Sequence, residues 1–229
     1  TSLASNAQAN NAFFTEAMGL RRVKKTVNFD APDVYHLYYG DALGTPGSVM
    51  TYFPFPNAAR GKRGVGEVSR TAFAVPRGSL DHWATRLGSS AATQVAKDTY
   101  FGAPRLTFSG PDGDDFALIE VQDDRTPWTE GGIDPDLAVR GFHSASMRLA
   151  DDGATAEVLR FMGYEVGEKD GASQRFVMPD GNGADSIDIE TIPGAQAARQ
   201  GAGSVHHIAF AVEDRAAQLE VRKALLDTG

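Results

Sequence analysis

Residues 64–75 read GVGEVSRTAFAV and residues 201–212 read GAGSVHHIAFAV, identical at seven of twelve positions at an offset of 137. A second match joins AMGL (17–20) to FMGY (161–164) at an offset of 144. Both flank the same pattern, an amphipathic segment that ends at Gly and runs into a strand. Two matches at similar offsets identify a tandem duplication. A duplicated chain has to fold as like units that cover one another's apolar faces.

Each half divides again. Four segments begin with a strand-like run and continue as a helix: TSLASN then AQANNAFFTEAMG; SRTAFAVP then GSLDHWATRLG; GFHSASMRL then ADDGATAEVLRFMG; HHIAFAV then EDRAAQLEVRKALLDTG. The helices rest on apolar spacing, Leu80, Trp83 and Leu87 in the second, Ala156, Leu159 and Met162 in the third, Leu219, Ala224 and Leu225 in the fourth. Ser79 and Asp151 or Asp152 suit N-caps, and Gly19, Gly88, Gly163 and Gly229 stand where helices end on glycine. After the first three helices come short β-branched and aromatic runs: LRRVKKTVNF, VYHLYYGD and SVMTYFPF; then APRLTFSG and DFALIEVQ; then YEVGE, SQRFVMP and SIDIETI. The unit is therefore βαβββ. Three units are complete, and the fourth stops at Gly229, after its helix. The expected class is α+β, tandem βαβββ modules forming curved mixed sheets. The expected domains are 1–130 and 138–229, the second incomplete, with GGIDPDLAV (131–139) as the link and PGAQAARQGAG (193–203) as a loop between units three and four.

Composition narrows the chemistry. The 229 residues contain no Cys, which removes disulfides, thiolate nucleophiles and cysteine-held metal clusters, so any metal must take His, Asp, Glu or water. The net charge of −8 argues against a phosphate-backbone partner. The local basic groups Arg21, Arg22, Lys24, Lys25 and Arg60, Lys62, Arg63 suit a solvated strand face and a loop. No run is long and apolar enough to span a bilayer, and no secretory leader opens the sequence. The expectation is a cytoplasmic homo-oligomer acting on something small, with no nucleic-acid or membrane partner. GVGEVS lacks the last glycine of a dinucleotide fingerprint and precedes a strand, so it does not count as one.

Five histidines remain. His206 and His207 are adjacent on an expected strand, so they should point to opposite faces. His143 opens the strand GFHSASM, where Glu120 and Glu190 are the carboxylates to weigh beside it. His36 alternates with Tyr35 and Leu37 and reads as cross-strand packing, while His82, before Trp83 on a helix, reads as surface. Tyr35, Tyr38, Tyr39, Tyr52, Phe53 and Phe55 suit either an aromatic-ring pocket or the sheet core.

Four βαβββ units with His at the start of a first strand resemble the vicinal oxygen chelate superfamily, which holds glyoxalase I, bleomycin-resistance proteins and extradiol dioxygenases. The runs GLRRVKKTVNFDAPDVYHLYYGD (19–41), GVGEVSRTAFAVPRGSLDHW (64–83) and GAGSVHHIAFAV (201–212) resemble its ring-cleaving branch, which includes para-hydroquinone dioxygenases. The resemblance implies two glyoxalase-like domains and Fe(II) or Mn(II) on two His and one Glu, with O₂ as co-substrate and a small aromatic substrate. Such a face leaves adjacent positions open on the metal. It implies that His207, the His before Ile-Ala-Phe, is a ligand, that His206 beside it is a catalytic group orienting substrate or moving a proton, and that His143 is a weaker metal candidate.

The repeat extends this. Arg70 stands 137 residues before His207, so unit two has lost the metal position. The counterpart of Glu120 falls near position 257, and the counterpart of His143 two residues before Thr1, in a His-x-Thr pattern. The expectation is that two of three ligands lie outside the sequence given, which would then be inactive while a longer parent is an enzyme. Two other functions fit the same scaffold, a metal-dependent glyoxalase-type lyase or isomerase and a metal-free binding protein of the bleomycin-resistance kind.

Overall fold

In the computed structural model, which describes residues 1–227, the first three repeats share one topology. Unit one contains β1 (Ser2–Ala4), α1 (Ala7–Ala12), β2 (Arg21–Val27), β3 (Tyr35–Gly40) and β4 (Met50–Pro54). Unit two contains β5 (Glu67–Val75), α2 (Leu80–Gly88), β6 (Thr93–Tyr100), β7 (Ala103–Ser109) and β8 (Asp115–Glu120). Unit three contains β9 (Gly141–Leu149), α3 (Gly153–Phe161), β10 (Glu165–Asp170), β11 (Ser173–Val177) and β12 (Ser186–Thr191). In every unit the first strand lies parallel to the last, β1 on β4, β5 on β8 and β9 on β12. A parallel pair needs a long crossover, and here the helix with two antiparallel strands supplies it. Units two and three join through antiparallel β5 and β9 into one eight-stranded sheet, whereas unit one keeps its own sheet, ordered β1-β4-β3-β2.

The main core lies under units one and two together. Phe13, Phe14, Tyr39 and Tyr52 pack there with Phe73, Trp83, Leu106 and Phe116. Each such side chain withdrawn from water contributes about 2–3 kcal/mol before ordering costs. A second cluster, Ala156, Leu159, Tyr164, Phe176, Ile187 and Ile189, belongs to unit three and is joined by Ile208. The exposed Lys24 and Lys25 sit on β2, the edge of the first sheet, where lysine discourages strand addition.

Four local expectations need correction. The first helix is not uniform: after α1 the chain widens into a π turn over Phe13–Ala17, with Met18 N–H bonded to Phe13 C=O at 2.9 Å. Successive residues of an α-helix diverge by about 100°, and the wider turn lets Phe13 and Phe14 both enter the core. Gly88 lies inside α2, not beyond it, whereas Gly19 (φ 65°) and Gly163 (φ 96°) do take the left-handed conformation. Gly229 lies outside the described residues. Ser79 and Asp152 occupy N-cap positions without side-chain bonds to the helix; Asp151 takes the Gly153 N–H at 3.0 Å, and α1 is capped by Asn6. His82, expected at the surface, is half-buried with Nε2 sealed from solvent.

Unit four departs furthest. The helix α4 (Arg215–Asp227) forms, but none of its residues is buried, and Leu219 is 51% exposed. Residues 206–212 are an open segment rather than a strand. A strand exists through its partner, and the backbone of this segment is held only near the start of β1 among the described residues: Val205 bridges Ser2, and the N–H groups of His206 and His207 donate to Thr1 C=O at 2.8 and 3.3 Å.

Candidate active site

Strand alternation sorts the aromatic residues of unit one between two faces. Leu37 and Tyr39 on β3, with Met50 and Tyr52 on β4, point into the core. His36, Tyr38, Thr51 and Phe53 therefore line the opposite face, in a register that sets Tyr38 against Thr51 and Leu37 against Tyr52. On β2, Thr26 lies opposite His36 and Lys24 opposite Tyr38. The aromatic set is thus divided: Tyr39 and Tyr52 are core, Tyr38 and Phe53 line the open face, and Tyr35 is exposed.

This face carries a continuous hydrogen-bond chain. Tyr38 Oη lies 2.8 Å from His36 Nδ1, His36 Nε2 lies 3.0 Å from Thr51 Oγ1, and Thr51 Oγ1 lies 2.7 Å from Thr1 Oγ1. The His36 ring also rests on Phe53, with centroids 4.2 Å apart. Burial pushes the His36 pKa down to about 4, and the neighbouring His207 and Lys24 act in the same direction. His36 is therefore a neutral, doubly bonded residue of the face and more than packing.

The two histidines of the repeat stand at the β1 edge of the same face. The Thr1 backbone nitrogen donates to His207 C=O at 3.0 Å, and the His206 ring meets Phe53 edge-on at 6.4 Å. The structure brings the two imidazoles together, Nδ1 to Nδ1 at 2.9 Å, instead of turning them to opposite faces. Opposite faces require a pleated strand, and residues 206–212 are not one. Both histidines are exposed. Partial burial lowers the His207 pKa, with His206 acting in the same direction. A lowered pKa keeps the nitrogen lone pair free, the form that binds metal.

His143 lies elsewhere, on the bulge where β9 slips against β5. Its Nδ1 bonds Ser144 Oγ at 3.0 Å. Burial, followed by the charges of Arg175 and Arg125, lowers its pKa to about 4. Neither carboxylate weighed with it is free. Glu120 accepts the Leu80 N–H at 3.0 Å and so caps α2, and Glu190 is paired with Arg148 at 2.9 Å. Among the described residues no three His, Asp or Glu side chains converge, and the positions expected for the other two ligands fall outside the 229-residue chain. Arg70, at the position equivalent to His207, is half-buried with Nε lacking a hydrogen-bond partner. A cavity of about 370 Å³, with Arg77, Asp123, Arg125 and Arg140 in its lining, has no histidine among its lining residues.

Comparison with known proteins decides the family. The chain is 35% identical, over 96% of its length and 70% of the relative's, to a chlorohydroquinone/hydroquinone 1,2-dioxygenase of Sphingobium indicum. It is 34% identical, over its whole length and 73% of the relative's, to MhqO of Bacillus subtilis, named as a ring-cleaving dioxygenase. The chain belongs to the ring-cleaving dioxygenases of the vicinal oxygen chelate superfamily. A crystal structure of a Bacillus subtilis dioxygenase superposes on the chain with TM-score 0.93 at 34% identity, covering all of the chain and 73% of that structure. A glyoxalase I variant from Zea mays shares the fold, with TM-score 0.72 at 14% identity over 99% of the chain and 77% of its own. No protein-family model matches the chain.

The His36–Thr51 chain of hydrogen bonds is not among the contacts expected from the sequence. The signal was present in the spacing: His36 and Tyr38 share parity, and so do Thr51 and Phe53, two residues apart on neighbouring strands.

Proposed function

We propose that the open face of the first sheet, with His206 and His207 at its edge, is the active-site floor of a metal-dependent dioxygenase that cleaves hydroquinone or a related dihydroxylated ring. The observation that carries this reading is the 35% identity to a hydroquinone 1,2-dioxygenase across 96% of the chain. The donor chemistry is compatible with it. His207 offers an accessible imidazole whose lowered pKa favours the neutral form, and so it accounts for one ligand of Fe(II) or Mn(II). When bound, such a metal supplies adjacent sites for a hydroxylated ring and O₂.

The chain's own residues do the rest. Phe53 and the His36 ring tilted against it give the aromatic substrate an apolar surface. His206, next to His207 and edge-on to Phe53, takes a proton from a ring hydroxyl at an imidazole nitrogen and returns it later, the role for which an imidazole is suited. His143 has no comparable surroundings, and the reading gives it no ligand role.

The test is the metal content of His207→Ala made in the longer parent protein expected to carry the other two ligands. The variant should lose most of its iron after reconstitution while its circular dichroism and melting temperature stay those of the parent, because the side chain is exposed and packs against nothing apolar. Full iron retention would contradict the assignment of His207.

A further inference from the structure

We infer that Tyr38 and His36 determine substrate specificity by presenting a reversible hydrogen-bonding end to a ring hydroxyl. The inference rests on the reading that this face holds a dihydroxylated aromatic.

The argument is one of valence. Four groups are joined in line, Tyr38 Oη, the His36 imidazole, Thr51 Oγ1 and Thr1 Oγ1, with every link between 2.7 and 3.0 Å. A neutral imidazole has one N–H and one acceptor nitrogen. In one polarity Tyr38 donates to Nδ1, Nε2–H donates to Thr51, Thr51 donates to Thr1, and the Tyr38 oxygen is left to accept. In the other polarity Thr1 donates to Thr51, Thr51 to Nε2, and Nδ1–H to Tyr38, whose own O–H is then free to donate. Reversal turns each of the three O–H groups to the other side of its oxygen and exchanges the imidazole proton between Nε2 and Nδ1 by way of solvent, so every group keeps its proton count and no charge is created. The Tyr38 end can therefore accept from a phenol and donate to a phenolate, both of which a hydroxylated ring presents during turnover.

Position favours this role. Tyr38 and His36 share the face with Phe53, which the His206 ring meets edge-on. Tyr38 is half-buried, and Lys24 Nζ stands 5.4 Å above its ring. A polar chain of this length is not needed to hold the sheet, because β3 and β4 are already paired through their backbones and packed through Leu37, Tyr39 and Tyr52 on the other side.

The experiment is equilibrium binding without metal, by calorimetry under anaerobic conditions, of hydroquinone and of 1,4-dimethylbenzene, which has the same outline and no hydroxyl. The variants are Tyr38→Phe, His36→Phe and His36→Gln. Tyr38→Phe and His36→Phe should weaken hydroquinone by about three- to tenfold, the worth of one hydrogen bond, and leave 1,4-dimethylbenzene unchanged. His36→Gln, whose amide both donates and accepts, should recover part of the loss. If the parent prefers hydroquinone and Tyr38→Phe keeps that preference, the specificity role is overturned while the ring-binding reading stands. Equal losses for both ligands would also overturn it, as the mark of a merely structural role. A parent that binds hydroquinone no more tightly than 1,4-dimethylbenzene would overturn the underlying reading, and this inference with it.

Discussion

His143 is held on a β-bulge, and burial together with Arg175 and Arg125 lowers its pKa to about 4 from an ordinary 6.5. Its protonated form is therefore less favoured in the folded chain than in the unfolded one. The stability it contributes is present above pH 6.5 and is lost as pH falls toward 4, up to about 3 kcal/mol at 1.36 kcal/mol per pKa unit. His143→Gln should remove this part of the acid sensitivity. Urea unfolding of both proteins at pH 7.0 and 4.5 measures it: the gap in stability between the two pH values should narrow in the variant, and an unchanged gap would contradict the account. At this scale the sequence was informative about which histidines to examine and silent about their partners. The pair 206–207 is visible in the repeat, whereas the bonds of His36 depend on Thr51, fifteen residues away and adjacent only once β3 and β4 pair.

Elements repeat more faithfully than side chains do. The strand runs of the first three units all form, because alternating and β-branched stretches bounded by turns specify strands locally. β6 is harder to see, since TQVAKDTY is mostly exposed and shows no apolar alternation; it exists as the edge partner of β7. HHIAFAV has the better strand pattern, yet residues 206–212 are not a strand, for want of a partner to pair with. The helix ends show the same dependence on context. Gly19 and Gly163 are equivalent by the 144-residue offset and both left-handed, but a Cβ at Gly19 would lie 2.3 Å from Ile133 Cδ1, whereas at Gly163 the nearest atom is Met178 Sδ at 3.7 Å. Gly163→Ala should cost about 1–2 kcal/mol for backbone strain alone, and Gly19→Ala about 2–4 kcal/mol because Ile133 must also move. Thermal melts of the two variants check the order; equal losses would show that the Ile133 contact carries no cost.

Across the whole molecule the sheets and the cores divide the chain differently. The eight-stranded sheet joins units two and three, while the main apolar core joins units one and two. Unit two is thus fixed on both sides, and Tyr52 and Ser5 of unit one are tied to its loop through Asp114 and Asp112. The position equivalent to His207 in unit two has become Arg70, and Glu120 has become a helix cap. The face of unit two serves architecture, whereas the open face of unit one keeps the polar chain and the aromatic surface, with the unit-four histidines at its edge. The duplication itself was legible in two short sequence matches; the division of labour between its copies was not, because it depends on which strands become neighbours.

The most direct measurement of this account is oxygen consumption by the longer parent protein, expected to carry the other two ligands, reconstituted anaerobically with Fe(II) and then mixed with aerated hydroquinone. The account predicts uptake of one O₂ per hydroquinone consumed, with loss of the aromatic absorbance as the ring opens. No uptake by the iron-loaded protein, together with isomerisation of a thiohemiacetal, would contradict it and assign the face to glyoxalase-type chemistry.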